Sequence, residues 1–219
     1  MDNPLSPAEL RVLGALIEKE STTPEYYPMS LNALVAACNQ KTNRWPVTEY
    51  ADDDVLAALD DLKPRGYAAA ITGGSRVTKF AQRFTEKLNL GRRETAILCV
   101  LMLRGPQTIG EIKGRTERMY SFADLDETET VLQKMTDRSE GAGDSLNHHG
   151  ALVQKLPHAP GTKEPRFAQT LAGAVEFAAR EITPVHSPAP DRLASLEAEV
   201  ALLRDEVAEL RRRLDEVLS

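Results

Sequence analysis

No stretch of this sequence approaches the roughly 20 consecutive apolar residues that a bilayer-spanning helix needs, so no membrane segment is expected. Cysteine is scarce, with two in 219 residues. Cys38 and Cys99 both sit in apolar, helix-like surroundings. They exclude a disulfide framework and read as buried, reduced thiols. Aromatic residues make up only 5%, with a single tryptophan, Trp45. Positive charge is not in surplus either. The net charge is -6, and none of the segments 1–90, 91–188 and 189–219 is basic overall, which argues against a strongly basic nucleic-acid surface. The opening "MDNPLSPAEL" has neither a positive n-region nor an apolar h-region, so no secretory signal is read and a cytoplasmic location is expected. At 42% hydrophobic residues, the chain has enough apolar material for a packed core.

Catalytic and phosphate-binding signatures are missing as well. There is no Gly-x-Gly-x-x-Gly after a strand, no Walker loop and no Cys-x-x-Cys. His148 and His149 stand side by side in "NHHG". Adjacent residues rarely serve one metal ion well, so a solvated loop tip is the better reading than a ligand pair. His158 and His186 are each flanked by Pro-rich loop. The run Asp52-Asp53-Asp54 opens a helix, where negative charge suits the N-terminal dipole. The expectation is a protein that is not an enzyme and uses neither cofactor nor metal.

What the sequence does contain is a repeat. "KFAQRF" from Lys79 returns as "RFAQTL" from Arg166. Upstream of the first copy, Val12, Leu13, Leu16 and Ile17 share one helical face. Ser6, Pro7 and Glu9 supply an N-cap, an N1 proline and a capping box. Upstream of the second copy, Ile97, Leu98, Leu101 and Met102 repeat that face. A second helix follows in each copy, capped by Ser30 over Leu31, Leu34 and Val35, or by Thr108 over Ile109 and Ile112. The third helix presents Val55, Leu56, Leu59 and Leu62 in one copy and Leu125, Val131, Leu132 and Met135 in the other. Gly66 stops the first of these after Pro64. Each copy then has strand material: one hairpin around Gly73-Gly74, the other around a longer Pro/Gly loop. Each "FAQ" falls on the last strand, where Phe80 and Phe167 would seal the hairpin to the helices and Ala81 and Ala168 fit a tight position.

Three helices and a β-hairpin, twice, predict a mainly α fold with small β-hairpins (α+β): two tandem winged-helix domains followed by a C-terminal coiled-coil helix. A period of about 85 residues is too long for a solenoid. The boundaries expected are 1–90 and 91–183 for the two domains, 184–190 for a Pro-rich linker and 191–219 for the C-terminal helix. The joint near "KLNLGRR" is short, so the domains should pack closely.

The C-terminal segment has a heptad seam. Leu193, Val200, Val207 and Leu214 take the a positions, and Leu196, Leu203, Leu210 and Val217 the d positions. Central Val at a with Leu at d favours a parallel two-stranded coil. Across such a dimer Arg192 would meet Glu197, Glu199 would meet Arg204, and Glu206 would meet Arg211, all of opposite sign. Self-association through this helix is expected. A single amphipathic helix folding back on its own domain remains the alternative.

The stretch with the most binding chemistry is "CNQKTNRWPV" between the second and third helices. A helix-turn-helix normally has a 3–4-residue turn there. This connection is longer and carries Asn39, Gln40, Lys41, Thr42, Asn43, Arg44 and Trp45 in succession. Amides, cations and an aromatic suit phosphates, base edges and stacking. Asn and Thr also cap helix ends and pin loops, and that reading stays open. The second copy keeps a reduced version with Arg115, Arg118, Tyr120 and Phe122.

The run "LSPAELRVLGALIEKESTTPEYYPMSLNALVAACNQKTNRWPV" resembles the opening of the YceH-like family of bacterial proteins. The features that carry the likeness are the first helix, "TTPEYYPMSLNAL" and "CNQKTNR-PV"; it extends over about residues 5–180. The resemblance implies tandem winged helices and brings no catalytic residues. Where it implies an acidic residue, this chain has Trp45.

Two functions stay open. One is a DNA-associated regulatory protein touching nucleic acid through the loop after helix 2 and through the first wing, at Arg76, Lys79 and Arg83. Insertion of the third helices is disfavoured, because Glu49, Asp52, Asp53, Asp54, Asp60 and Asp61, and in the second copy Asp124, Asp126, Glu127 and Glu129, would repel phosphates. The other is a dimeric scaffold that binds a protein partner through these acidic faces without DNA.

Overall fold

The computed structural model describes residues 4–72, 77–138, 150–157 and 164–173. All belong to one compact unit that runs to Phe177; a second begins at Ala178. The C-terminal helix with its seam from Leu193 to Val217, the 184–190 linker, the Gly73-Gly74 turn, Arg76, His148, His149, His158 and His186 lie outside the described residues.

Helices and small antiparallel sheets alternate. The first repeat is α1 (Pro7–Thr22), a 3-10 turn (Pro24–Tyr26), β1 (Met29–Ser30), α2 (Leu31–Cys38), α3 (Asp52–Leu62), β2 (Ala68–Ile71), β3 (Lys79–Gln82) and a short α4 (Phe84–Lys87). The second is α5 (Arg92–Arg104), α6 (Ile109–Thr116), α7 (Leu125–Thr136), β4 (Val153–Lys155) and β5 (Phe167–Gln169). Start signals act where the sequence places them. Ser6 and Glu9 form a reciprocal capping box, as do Thr108 and Glu111, and the Ser30 side chain accepts from Ala33 N. Helix α3 ends at Leu62, before Pro64, and Gly66 takes the positive φ of the turn that follows.

The two "FAQ" segments occupy equivalent strands. Phe80 pairs with Ala70 of β2 and with Met29 of β1, so the first sheet is three-stranded in the order β1-β3-β2. Phe167 pairs with Lys155 of β4. Both phenylalanines and both following alanines are buried. The added strand β1 and helix α4 carry no clear sequence signal, since both are too short to show a period.

Periodicity in α1 reveals only one face, yet every residue from Glu9 to Ile17 is buried. The second face is covered by α5, which is buried from Ala96 to Leu103. A helix enclosed on all sides is apolar or small except where a charge has partners, as Glu9 has in Ser6 N and Arg65, and Arg11 in the carbonyls of Cys38 and Pro46. Gly14 makes the close approach possible: a Cβ there would lie 2.9 Å from Leu103 Cδ2 and 3.2 Å from Met102 Cβ. At the same crossing the Cys99 Sγ–H donates to Gly14 O at 3.4 Å. Core residues of both repeats therefore form one apolar cluster. Both cysteines are free and buried. Burial pushes the Cys38 thiol up to about 12, against the pull of Arg11 and Arg44, and raises that of Cys99.

One core assignment needs correction. Leu125, read as part of the inward face of α7, is 51% exposed. It is the first residue after the Asp124 cap, and the inward stripe starts at Thr128 and continues through Val131, Leu132 and Met135.

Candidate functional site

The connection from Asn39 to Ala51 is held to the core by two arginines, Arg11, which reaches it from α1, and Arg44, which turns inward from the connection itself. Arg11 of α1 is 4% exposed. It donates to Cys38 O at 2.9 Å, to Pro46 O at 2.6 Å and to Thr48 Oγ1 at 3.1 Å. Its Nε is buried with no hydrogen-bond partner among the described residues. Burial, and then the neighbouring Arg44, push the Arg11 guanidinium below its ordinary value. Arg44 is 5% exposed and forms a bidentate pair with Glu18, at 3.1 and 2.6 Å. It also donates to Ala37 O and Asn43 O. Arginine suits both tasks because its planar fork satisfies several oxygens at once.

These contacts divide the sequence-predicted residues. Arg44, read as a contact residue, is an internal pin, because all its charge is directed at Glu18 and backbone carbonyls. Asn39 is likewise engaged. Its Nδ2 donates to Tyr50 O and its Oδ1 accepts from Tyr50 N, both at 2.8 Å, so one side chain clasps the far end of the loop. Gln40 is half-buried, and Lys41, Thr42 and Asn43 are exposed. Asn43 has a left-handed backbone, φ 61°, a conformation that asparagine tolerates better than most residues. Trp45 is 58% exposed and Val47 53%.

The loop's outer edge rests on the second repeat. Trp45 N donates to Leu103 O at 2.9 Å, and the indole lies over Gly105, where a side chain would begin 3.6 Å from Trp45 Cε3. Asn43 Oδ1 accepts from Arg104, the last residue of α5. Sequence reasoning missed Arg104 because a basic residue before a C-terminal glycine is the ordinary end of a helix. It missed Arg11 although "LRVLGAL" places a charge inside an apolar run, which is a usable signal. Burial, and then neighbouring Arg115, push the Arg104 guanidinium below its ordinary value. Among the described residues no carboxylate lies within ion-pair reach of Arg104. Of the acids beside it, Glu18 is engaged by Arg44, and Glu111 is held between Arg115 at 3.5 Å and Arg166 at 2.8 Å.

Two of the residues read as wing contacts, Lys79 and Arg83, are not part of this cluster. Lys79 lies half-buried in β3, in register with Ser30 at the start of α2, whereas the loop leaves the other end of that helix. Eight helical residues separate the two ends by about 12 Å. Arg83 is paired with Glu86 at 3.1 Å. In the second repeat, the connection from Glu117 to Asp124 is shorter. Tyr120 OH accepts from Arg93 Nε at 2.9 Å and donates to Glu127 Oε1 at 3.1 Å. Among the described residues no helix is long and apolar enough to cross a membrane.

Residues 5–162 match the family model described as "Protein of unknown function, DUF480". A UPF0502 protein of Solibacter usitatus is 51% identical over 216 residues, covering 99% of this chain and 97% of that relative. A UPF0502 protein of Geotalea uraniireducens is 46% identical, covering 100% and 99%. One of Vibrio atlanticus is 42% identical over the whole of both chains. With a family model matched over most of its length and relatives aligned end to end, the chain belongs to the UPF0502 proteins, the YceH family that its first helix and "CNQKTNR" motif resemble.

Proposed function

We propose that the protein is a non-enzymatic tandem winged-helix protein that associates with nucleic acid in a regulatory role. The winged-helix reading is supported by the order helix, helix, helix, antiparallel strand pair in both repeats. The observation that carries the binding reading is the composite edge where the first repeat's loop meets α5. Lys41 is exposed on the loop, Trp45 is exposed where the loop meets Gly105, and Arg104 has an amide as partner in place of a carboxylate. This shifts the contact surface from the loop and wing together to the loop and the end of α5. The C-terminal helix is proposed to join two copies, which would double the number of such edges and raise affinity by bivalency.

The acidic faces favour a second reading, a scaffold for a protein partner. Asp52, Asp53, Asp54, Asp60 and Asp61 on the first third helix are exposed, as are Asp126 and Glu129 on its counterpart. Salt dependence separates the two. Binding of random-sequence DNA should be measurable at about 50 mM salt and should fall steeply by about 200 mM, as counterion release requires. Lys41→Ala with Arg104→Ala should weaken it at both. No binding at the lower salt would leave the scaffold reading in place; binding indifferent to the double substitution would remove the composite edge.

A further inference from the structure

We infer that the composite edge takes single-stranded nucleic acid, with a base stacked on Trp45 and the flanking phosphates on Lys41 and Arg104. The inference rests on the nucleic-acid reading above and specifies its ligand.

Three features argue for a single strand over a duplex. The first is the disposition of acid. In each repeat the helix that would enter a major groove begins with carboxylates: Asp52, Asp53 and Asp54 in α3, Asp126 and Glu127 in α7. These favour the helix N-terminus but oppose a groove lined by phosphates on both sides. A single strand has half the phosphate density and needs no groove-filling helix.

The second feature is the tryptophan. An indole 58% exposed on a loop is an unusual surface residue, and here it is not loosely attached. Its backbone N–H is bonded to Leu103 O, the next residue is Pro46, whose carbonyl is held by Arg11, and the preceding one is the buried Arg44. An aromatic ring presented by a fixed backbone is the element that sequence-tolerant single-strand binding uses, because every base has a π-face.

The third is the local cation balance. Arg104 uses one donor on Asn43 and keeps the others of its fork. Lys41 is four residues from Trp45 on the same exposed loop. The two acids beside Arg104 are each already paired with arginine. Phosphates on either side of a stacked base would therefore meet cations.

The sequence offers an unusually direct test, because Trp45 is the only tryptophan in the chain. Intrinsic tryptophan fluorescence of the full-length protein reports on this ring alone. Titrating with a labelled oligothymidylate of about 20 nucleotides and with a duplex of the same length, at about 50 mM salt, reads label anisotropy and indole emission together. The inference expects anisotropy to rise with the single strand at lower concentration than with the duplex, accompanied by quenching of Trp45. Trp45→Ala should weaken single-strand binding about tenfold or more, and Trp45→Phe should retain most of it. Binding of the single strand without quenching would overturn the stacking. Equal or tighter binding of the duplex would overturn the single-strand preference while leaving nucleic-acid association standing. No binding of either would overturn both. The quenching readout needs no substitution, so a variant that folds poorly does not remove the test.

Discussion

The second and third helices of each repeat are joined by connections that share a place in the chain and little else. The first, from Asn39 to Ala51, is long and rests on buried charge: Arg11 reaches it from α1, Arg44 reaches from it to Glu18 of α1, and Glu18 answers only Arg44. The second, from Glu117 to Asp124, is short and is tied at the surface by Arg93, Tyr120 and Glu127, with Tyr120 edge-on to the buried Phe122 at 4.7 Å. A short connection can be fixed by its own ends. A long one has more conformations to lose, and its backbone carbonyls need donors wherever they are turned from water. The buried arginines supply those donors. The first loop is therefore held from α1, through Arg11 and through the grip of Glu18 on Arg44, and its outer residues are left to face solvent or a ligand.

The largest effect should come from removing the answer to Arg44. Its side chain is wholly buried and that of Glu18 is 14% exposed. Glu18→Ala leaves a buried guanidinium without a counter-charge and should cost about 3–5 kcal/mol in denaturant unfolding. It should also speed thiol labelling of Cys38, whose carbonyl lies in the same network and whose reactivity burial suppresses. Glu18→Leu combined with Arg44→Met should recover only part of the loss, since it removes the unpaired charge but also the donors that Arg44 gives to Ala37 O and Asn43 O. A loss below about 1 kcal/mol for Glu18→Ala would place the pair with ordinary surface bridges and erase the contrast between the two connections.

This division explains what could be read without coordinates. Caps, the inward stripes of α2 and α3, that of α7 from Val131 onward, and the strand placement of both "FAQ" segments follow from local rules: a Ser or Thr before an apolar period, a Gly after it, alternation beyond. Leu125 fails the rule because it sits directly after the cap. The loop's length and its polar content were equally legible. Which of its side chains turn inward was not. "NQKTNRW" is a row of binding-type residues, and only the distance between α1 and the loop decides that Arg44 meets Glu18, 26 positions away, while Lys41 meets solvent. Arg104 was invisible for the same reason, since its importance comes from contact with Asn43 across the two repeats. The full burial of α1 was hidden because its own repeat supplies one covering surface and α5 the other.

A middle-sized effect sharpens the comparison at the far end of the first loop. Asn39→Ala removes both bonds to the Tyr50 backbone and should cost about 1–2 kcal/mol. Asn39→Asp keeps the acceptor for Tyr50 N but sets a carboxylate oxygen against Tyr50 O, so a loss at least as large is expected. If Asn39→Asp unfolds at a clearly higher denaturant concentration than Asn39→Ala, the donor to Tyr50 O contributes little and the clasp is one-sided.

The smallest effect is expected in the second connection. Tyr120→Phe keeps the ring against Phe122 and removes only the hydroxyl. Two of its neighbours have other partners already: Glu127 accepts from Ala123 N at 2.8 Å, and Arg93 lies 3.3 Å from Glu127 without the tyrosine. Redundancy at an exposed site means that deleting one member lets the others close up, and water replaces what remains. The unfolding midpoint should therefore move less than for either Asn39 variant. A shift as large as that of Asn39→Ala would show the short connection to be as tightly constrained as the long one. Arg118 and Tyr120 within it, and Arg115 at the end of α6 before it, would then stand beside Lys41, Trp45 and Arg104 as candidate contacts.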